Sequence, residues 1–263
     1  YLCKKYEDAQ DFFDQELARC GVEYFDVFML HWLNGKNYQI AQACQQFRFL
    51  SEKKAEGRAR RIGFSYHDSA DLLEEILTAH PEVDVVQLQI NYLDWDSAGI
   101  ESRKCYEVCV RHGKKIIVME PVKGGTLASL PEAAEQHLRR MHPQWSPADW
   151  ALRFVQSLPQ VEICLSGMST LAQVEENLRP FAPLTEAEVQ HLMQARGLIE
   201  SQTAVACTGC RYCVSHCPRR IAIPEVFRFY NEICRYPGDD WKIRPAYLRL
   251  THTAGGAEKC VGC

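Results

Sequence analysis

With 263 residues the chain can bury a full core and could hold one large domain plus a small one. Its 46% hydrophobic and 24% charged content is ordinary for a globular protein, which sets aside fibrous and disordered classes. A formal charge of −4 with no Lys/Arg cluster argues against a nucleic-acid footprint. No apolar run reaches the roughly 18 residues of a membrane span and no signal peptide is present, so the cytoplasm is the expected compartment.

Glu7–Arg19 has apolar residues Phe12, Phe13 and Leu17 at helical spacing and stops at Gly21, a good C-terminal cap. FDVFMLH then reads as a fully buried strand that ends at an ionisable residue, His31. Asn34–Tyr38 reads as a loop and Ile40–Glu56 as one helix, ended by Gly57. The figure of an apolar run followed by a helix recurs in RRIGFS, ending at Ser65, and in VDVVQLQ, ending at Gln87–Gln89. It recurs again in KKIIVME, ending at Glu120, and in VEICLS, ending at Ser166. Five strand-then-helix units are the pattern of a parallel sheet with covering helices. Ligands gather at the carboxyl ends of such strands, so His31, Ser65, Gln87 and Glu120 are expected on one rim.

Between these strands, Ser69 or Asp71 opens a helix, and a helix at Ile100–His112 puts Cys105 and Cys109 on one face, as buried small hydrophobes. Glu120 and Lys123 are expected either to pair or to serve the site. Gly167, Ser169 and Thr170 precede a helix N-terminus, an arrangement suited to an anion. Helices are expected near Pro131–Met141 and Ser146–Leu158, and the capping box Thr185–Glu188 opens the last barrel helix.

The composition changes at Cys207. Cys207, Cys210, Cys213 and Cys217, the last followed by Pro218, have the spacing of three thiolates on one cubane and a fourth turned to a neighbouring cluster. Zinc favours two separated CxxC pairs and is the weaker alternative. Cys260 and Cys263 open a second copy, so two [4Fe-4S] clusters are expected, Cys217 joining Cys260 and Cys263 on the second. A short helix is expected at Pro224–Cys234. From Cys207 onward nine Lys/Arg face five Asp/Glu, a balance of +4, leaving −8 for the rest.

The chain starts at Tyr1 inside a helical pattern and stops at Cys263 inside a cysteine motif. Five units fall three short of a closed eight-stranded barrel, so a fragment is expected, lacking roughly 80 to 90 barrel residues and the end of the tail.

FDVFMLHW, RRIGFSYH, VVQLQINY, IIVMEPVKGG and LSGMSTLAQVEENL, in that order, resemble the second half of the aldo-keto reductase family, and the tail resembles its branch with a C-terminal ferredoxin-type domain. The resemblance implies an α/β architecture: a partial (β/α)8 TIM barrel over residues 1–200, then a small α-helical iron-sulfur tail over 201–263. It also implies NADP or NAD laid across the rim, a small-molecule carbonyl substrate, and a catalytic Asp, Tyr, Lys and His. Only the His has a counterpart here, His31, so the fragment alone is expected to be inert.

By the same resemblance Ser65 and Gln87 hold the nicotinamide amide, Glu120 stands where relatives often carry a stacking ring, and Glu176 and Asn177 reach the adenine. The family's residues for the 2′-phosphate fall on Gly167 and Gln173, and its Asn after the Ser is Tyr66. Hydride chemistry coupled to electron transfer through the clusters is the expected function, with a flavin or electron-transfer protein as partner, because a hydride carries two electrons and a cluster takes one. The alternatives are an electron-transfer protein with a non-catalytic barrel scaffold and a zinc-stabilised interaction module.

Overall fold

The computed structural model describes residues 5–97, 100–179, 182–201, 204, 205, 207, 211–235 and 240–263. The elements run α1 (Asp8–Cys20), β1 (Phe25–Leu33), α2 (Gly35–Ala43), α3 (Gln46–Ala55), β2 (Ala59–Tyr66), α4 (Ala70–Ala79), β3 (Val85–Gln89), α5 (Ser102–Arg111), β4 (Lys115–Met119), α6 (Glu132–Met141), α7 (Pro147–Gln156), β5 (Val161–Cys164), α8 (Leu171–Asn177) and α9 (Glu186–Ser201). The tail adds α10 (Tyr212–His216), α11 (Ile223–Arg235) and α12 (Asp240–Thr253). Contacts divide the chain into two compact units. The first is Tyr1–Asp96, Ile100–Gly125 and Ala148–Leu184; the second is Ser97–Gly99, Thr126–Pro147 and Thr185–Cys263.

In the first unit all five strands are parallel and neighbour one another in chain order. β3, β4 and β5 are short runs rich in β-branched residues, β1 and β2 lean on aromatic residues with one β-branched residue each, and helical segments make the crossovers that parallel pairing needs. Side chains alternate across the sheet. Ile62, Phe64, Val86, Leu88, Ile116 and Val118 form one buried set, with Ile62 packed beside Leu50 of α3. The opposite set, Ser65, Gln87, Gln89 and Met119, is held in register: Ser65 opposite Gln87, and Gln89 opposite Met119. Gly63 lies opposite Val85 with no room to spare, since a Cβ there would stand 2.1 Å from the Val85 carbonyl oxygen.

α1 ends at Gly21 in the left-handed conformation, as its sequence implies. Its apolar stripe is Ala9, Phe13 and Leu17 rather than Phe12, which is exposed. Phe13 meets Phe25, Phe28 and Phe49 edge-on at 5.7, 4.8 and 6.0 Å.

Three local expectations are corrected and one alternative is resolved. β1 is half-buried rather than fully buried, because it is a sheet edge with one hydrogen-bonded neighbour. Asn34–Tyr38 is no loop: Asn34 caps α2 by accepting from the Asn37 amide at 2.9 Å. The single helix over Ile40–Glu56 is two, because Gln45 turns left-handed at φ 50 between them. Ser69, not Asp71, caps α4.

In the second unit α6 and α9 are joined by two stacked histidines. The rings of His137 and His191 lie 3.9 Å apart, and each ring nitrogen reaches the other's backbone carbonyl, at 3.1 and 2.8 Å. Burial first, then the His191 ring, holds the His137 imidazole below its ordinary value of 6.5. A histidine depressed in the folded state resists a proton that the unfolded chain accepts. Its contribution is complete above the ordinary value and is lost as pH falls through it toward the folded-state value. The protein is therefore expected to lose more thermal stability between about pH 7.5 and 5.5 than His137→Gln does, in melts at matched ionic strength. Equal losses would remove the pair from the pH response.

In the tail Ile221, Ala222, Phe229 and Ile243 are buried. Asn231 ties the approach to the cysteines: its amide accepts from the Val205 N–H at 2.8 Å and donates to the Val205 carbonyl at 2.7 Å. α11 covers the expected Pro224–Cys234, whereas α12, which contains Pro245, was not expected. No helix among the described residues is long and apolar enough to cross a membrane.

Candidate functional site

The carboxyl ends of β1 to β4 bring His31, Ser65, Gln87 and Glu120 to the same edge of the sheet. β1 does not pair evenly there. Leu30 opposes Phe64 and Leu33 opposes Tyr66, so one extra residue is accommodated at His31–Trp32. Such a bulge re-aims side chains at the end of a strand. Trp32 turns left-handed at φ 57, and its N–H donates to Ser65 Oγ at 2.7 Å while its carbonyl accepts from Asn37 Nδ2 at 2.7 Å. His31 is thereby exposed at the rim, near enough to His67 to depress that ring's pKa further below the value that partial burial gives it.

Ser65 is buried yet keeps its own O–H to give, because the bond to Trp32 uses only its acceptor side. Gln87 Nε2 donates to Met119 Sδ at 3.2 Å, and among the described residues no bond engages its carbonyl oxygen. One hydroxyl donor and one carboxamide thus stand side by side on adjacent strands. Tyr66 points the other way: its hydroxyl donates to the Ser69 carbonyl at 2.6 Å, and burial, then the nearby Asp68, pushes its pKa far up.

Glu120 is exposed at φ 56, and Lys123 does not pair with it. Lys123 Nζ reaches both oxygens of Asp94 at 2.6 Å. Asp94, 6% exposed, also accepts from Gln89 at 3.1 Å and from Asn91 at 3.0 Å. Gln89, Asn91 and Asp94 were missed as site residues. The available signal was Asn91 and Asp94 three apart directly after an apolar strand, the spacing of a side-chain-capped turn, in which the Asp94 N–H donates to Asn91 Oδ1 at 2.8 Å.

At the end of β5, Gly167 is exposed. The amides of Ser169 and Thr170 are not open to an anion, because both donate to Gln173 Oε1, at 2.7 and 3.1 Å, within the capping box that opens α8. Asn177 donates to Ser166 Oγ at 2.9 Å, and Glu176 is half-buried beside it in sequence. Cys105 and Cys109 are buried in the core as expected; burial pushes the Cys105 thiol up to about 12 and Cys109 further.

In the tail, a cavity of 390 Å³ is lined by Cys213, Cys217, Cys260 and Cys263 together with Ile221, Ile223, Val226 and Phe227. Cys207 is exposed, and Cys210 lies outside the described residues. Among the described residues no three His, Cys, Asp or Glu side chains are placed to hold one metal ion.

The profile of the Aldo/keto reductase family matches residues 3–196. An NADH-specific methylglyoxal reductase of Escherichia coli (strain K12) is 30% identical over 111 residues, 42% of this chain and 32% of that protein. An uncharacterized oxidoreductase, YtbE, of Bacillus subtilis (strain 168) is 25% identical over 130 residues, 49% of this chain and 42% of its own. The chain thus aligns with less than half the length of either relative. Among solved structures, the holo form of aldo-keto reductase AKR11C1 from Bacillus halodurans superposes with a TM-score of 0.60 at 22% identity, covering 74% of this chain and 69% of that one. An aldo/keto reductase from Klebsiella pneumoniae, solved with NADP and acetate, gives 0.54 at 22% identity, covering 71% and 64%.

Proposed function

Because the chain belongs to the aldo/keto reductase family, we propose that it is the cofactor-binding part of a nicotinamide-dependent oxidoreductase interconverting a small carbonyl compound and its alcohol. The observation that carries this is the register pair Ser65–Gln87. The Ser65 hydroxyl can donate to the carbonyl of a primary carboxamide while Gln87 Oε1 accepts from its NH₂, which fixes one face of a nicotinamide ring. When bound, the nicotinamide supplies the hydride. His31, set out by the bulge, orients the substrate oxygen; Glu176 and Asn177 serve the adenine end, and Gly167 and Glu120 border the cofactor. Relatives support both cofactor forms, one being NADH-specific and one solved with NADP.

His31 is the one member of the expected catalytic set in this chain, so it is expected to bind cofactor without turning over carbonyls. The tail is assigned [4Fe-4S] clusters held by Cys207, Cys210, Cys213, Cys217, Cys260 and Cys263. Four of these line one cavity with apolar neighbours. The CxxCxxCxxxCP spacing fits a cluster, whose thiolates stand on separate irons, better than zinc. Coupling hydride to one-electron clusters requires a flavin or an electron-transfer protein. The +4 tail, nine cations against five anions, favours as a second reading an electron-transfer protein whose barrel is a scaffold.

The test is a fluorescence titration of the chain with NADH and NADPH. Saturable binding of at least one is expected, with no reduction of methylglyoxal. Binding of neither would overturn the cofactor assignment.

A further inference from the structure

The polar cluster behind the rim has no part in the chemistry above, yet its members are densely hydrogen-bonded to one another. Asp94 takes four contacts from three donors: two from Lys123 Nζ and one each from Gln89 and Asn91. Asn91, fully buried, spends its second N–H on the Glu120 carbonyl at 3.2 Å, and that carbonyl also accepts from the Lys123 amide at 3.0 Å. The segment so gripped is under backbone strain. Glu120 and Lys123 are left-handed non-glycine residues at φ 56 and 50, next to Gly124 at 60 and Gly125 at 94. Residues of this kind persist where their surroundings over-determine them.

We infer that Asp94 and Lys123 form a latch that holds the strained Glu120–Gly125 loop against the carboxyl end of β3 and so pre-organises the carboxamide site, making Lys123 a positioning residue. The coupling runs through two contacts. Asp94 holds Gln89, which is in register with Met119; Met119 Sδ in turn receives the Gln87 amide. The same carboxylate holds Asn91, which pins the carbonyl of Glu120. An unlatched loop leaves Asp94 as a buried charge without its cation, an arrangement that the site avoids by moving. The inference rests on the nicotinamide assignment for its consequence, but not for the latch itself.

The test is amide hydrogen exchange of the whole protein, with NADPH and NADH titrations alongside. Lys123→Met is expected to speed exchange in residues 121–128 and to weaken cofactor binding about tenfold, the scale of one lost charge-assisted contact. Protection in β2 should be unchanged, and Lys123→Arg should restore both. Asp94→Asn is expected to weaken binding in the same direction. Unchanged exchange in Lys123→Met overturns the latch. So does tighter binding in Asp94→Asn, which would mean that Lys123 is instead freed to meet the ligand directly. If the unaltered chain binds neither nucleotide, the cofactor assignment fails, and the exchange result alone decides the latch.

Discussion

Gly63→Ala is expected to cost the fold at least about 3 kcal/mol, the upper range for forcing extra volume into a packed interior. The cause is local and has no soft partner. The added Cβ would stand 2.1 Å from the Val85 carbonyl oxygen, 2.6 Å from Val85 Cγ2 and 3.0 Å from the Val85 carbonyl carbon. Val85 is itself 1% exposed, so neither strand can retreat without opening the ladder in which Gly63 pairs with Val85, Phe64 with Val86 and Ser65 with Gln87. Urea unfolding measures the loss. A midpoint within error of the unaltered protein would show that β2 and β3 pack more loosely than described. The glycine is thus a condition of the functional pair, since the register that it permits is what sets Ser65 beside Gln87.

Cys217→Ser is expected to lower iron binding in the tail by about half after anaerobic reconstitution with iron and sulfide, because Cys217 serves one of the two assigned clusters. Cys217 is half-buried in the wall of the 390 Å³ cavity, and the Ile221 N–H donates to its sulfur at 3.4 Å. Iron and acid-labile sulfide in roughly equal amounts, with brown colour weakened in the variant, is the expected result. A colourless protein that takes up zinc, with Cys217→Ser equally competent, would replace the cluster by a zinc-stabilised module.

Much of the frame was legible because its signals are local. Five apolar runs of strand length, each leading into helical spacing, are read directly, and Gly21 and Thr185 declare their caps by residue type. Two failures have one cause, a backbone turn with no glycine to announce it: Gln45 splits a helix, and Trp32 makes the β1 bulge. The half-burial of β1 depends on which strand is at an edge, a property of the assembled sheet and not of FDVFMLH. Lys123 could be seen as a charged residue beside glycines, but its partner is 29 residues away. The register that sets Asp94 within reach arises only when β3 and β4 pair.

The most direct measurement of the central claim, that β2 and β3 present a nicotinamide carboxamide site, is the dissociation constant for NADPH and NADH in Ser65→Ala, Gln87→Ala and the double variant. Each single change is expected to weaken binding about tenfold, one hydrogen bond to the carboxamide being worth about 1 to 1.5 kcal/mol. The double change is expected to cost less than the two together, because both grip one group. Affinities unchanged in all three variants, with binding intact in the parent chain, would place the cofactor elsewhere and contradict the assignment.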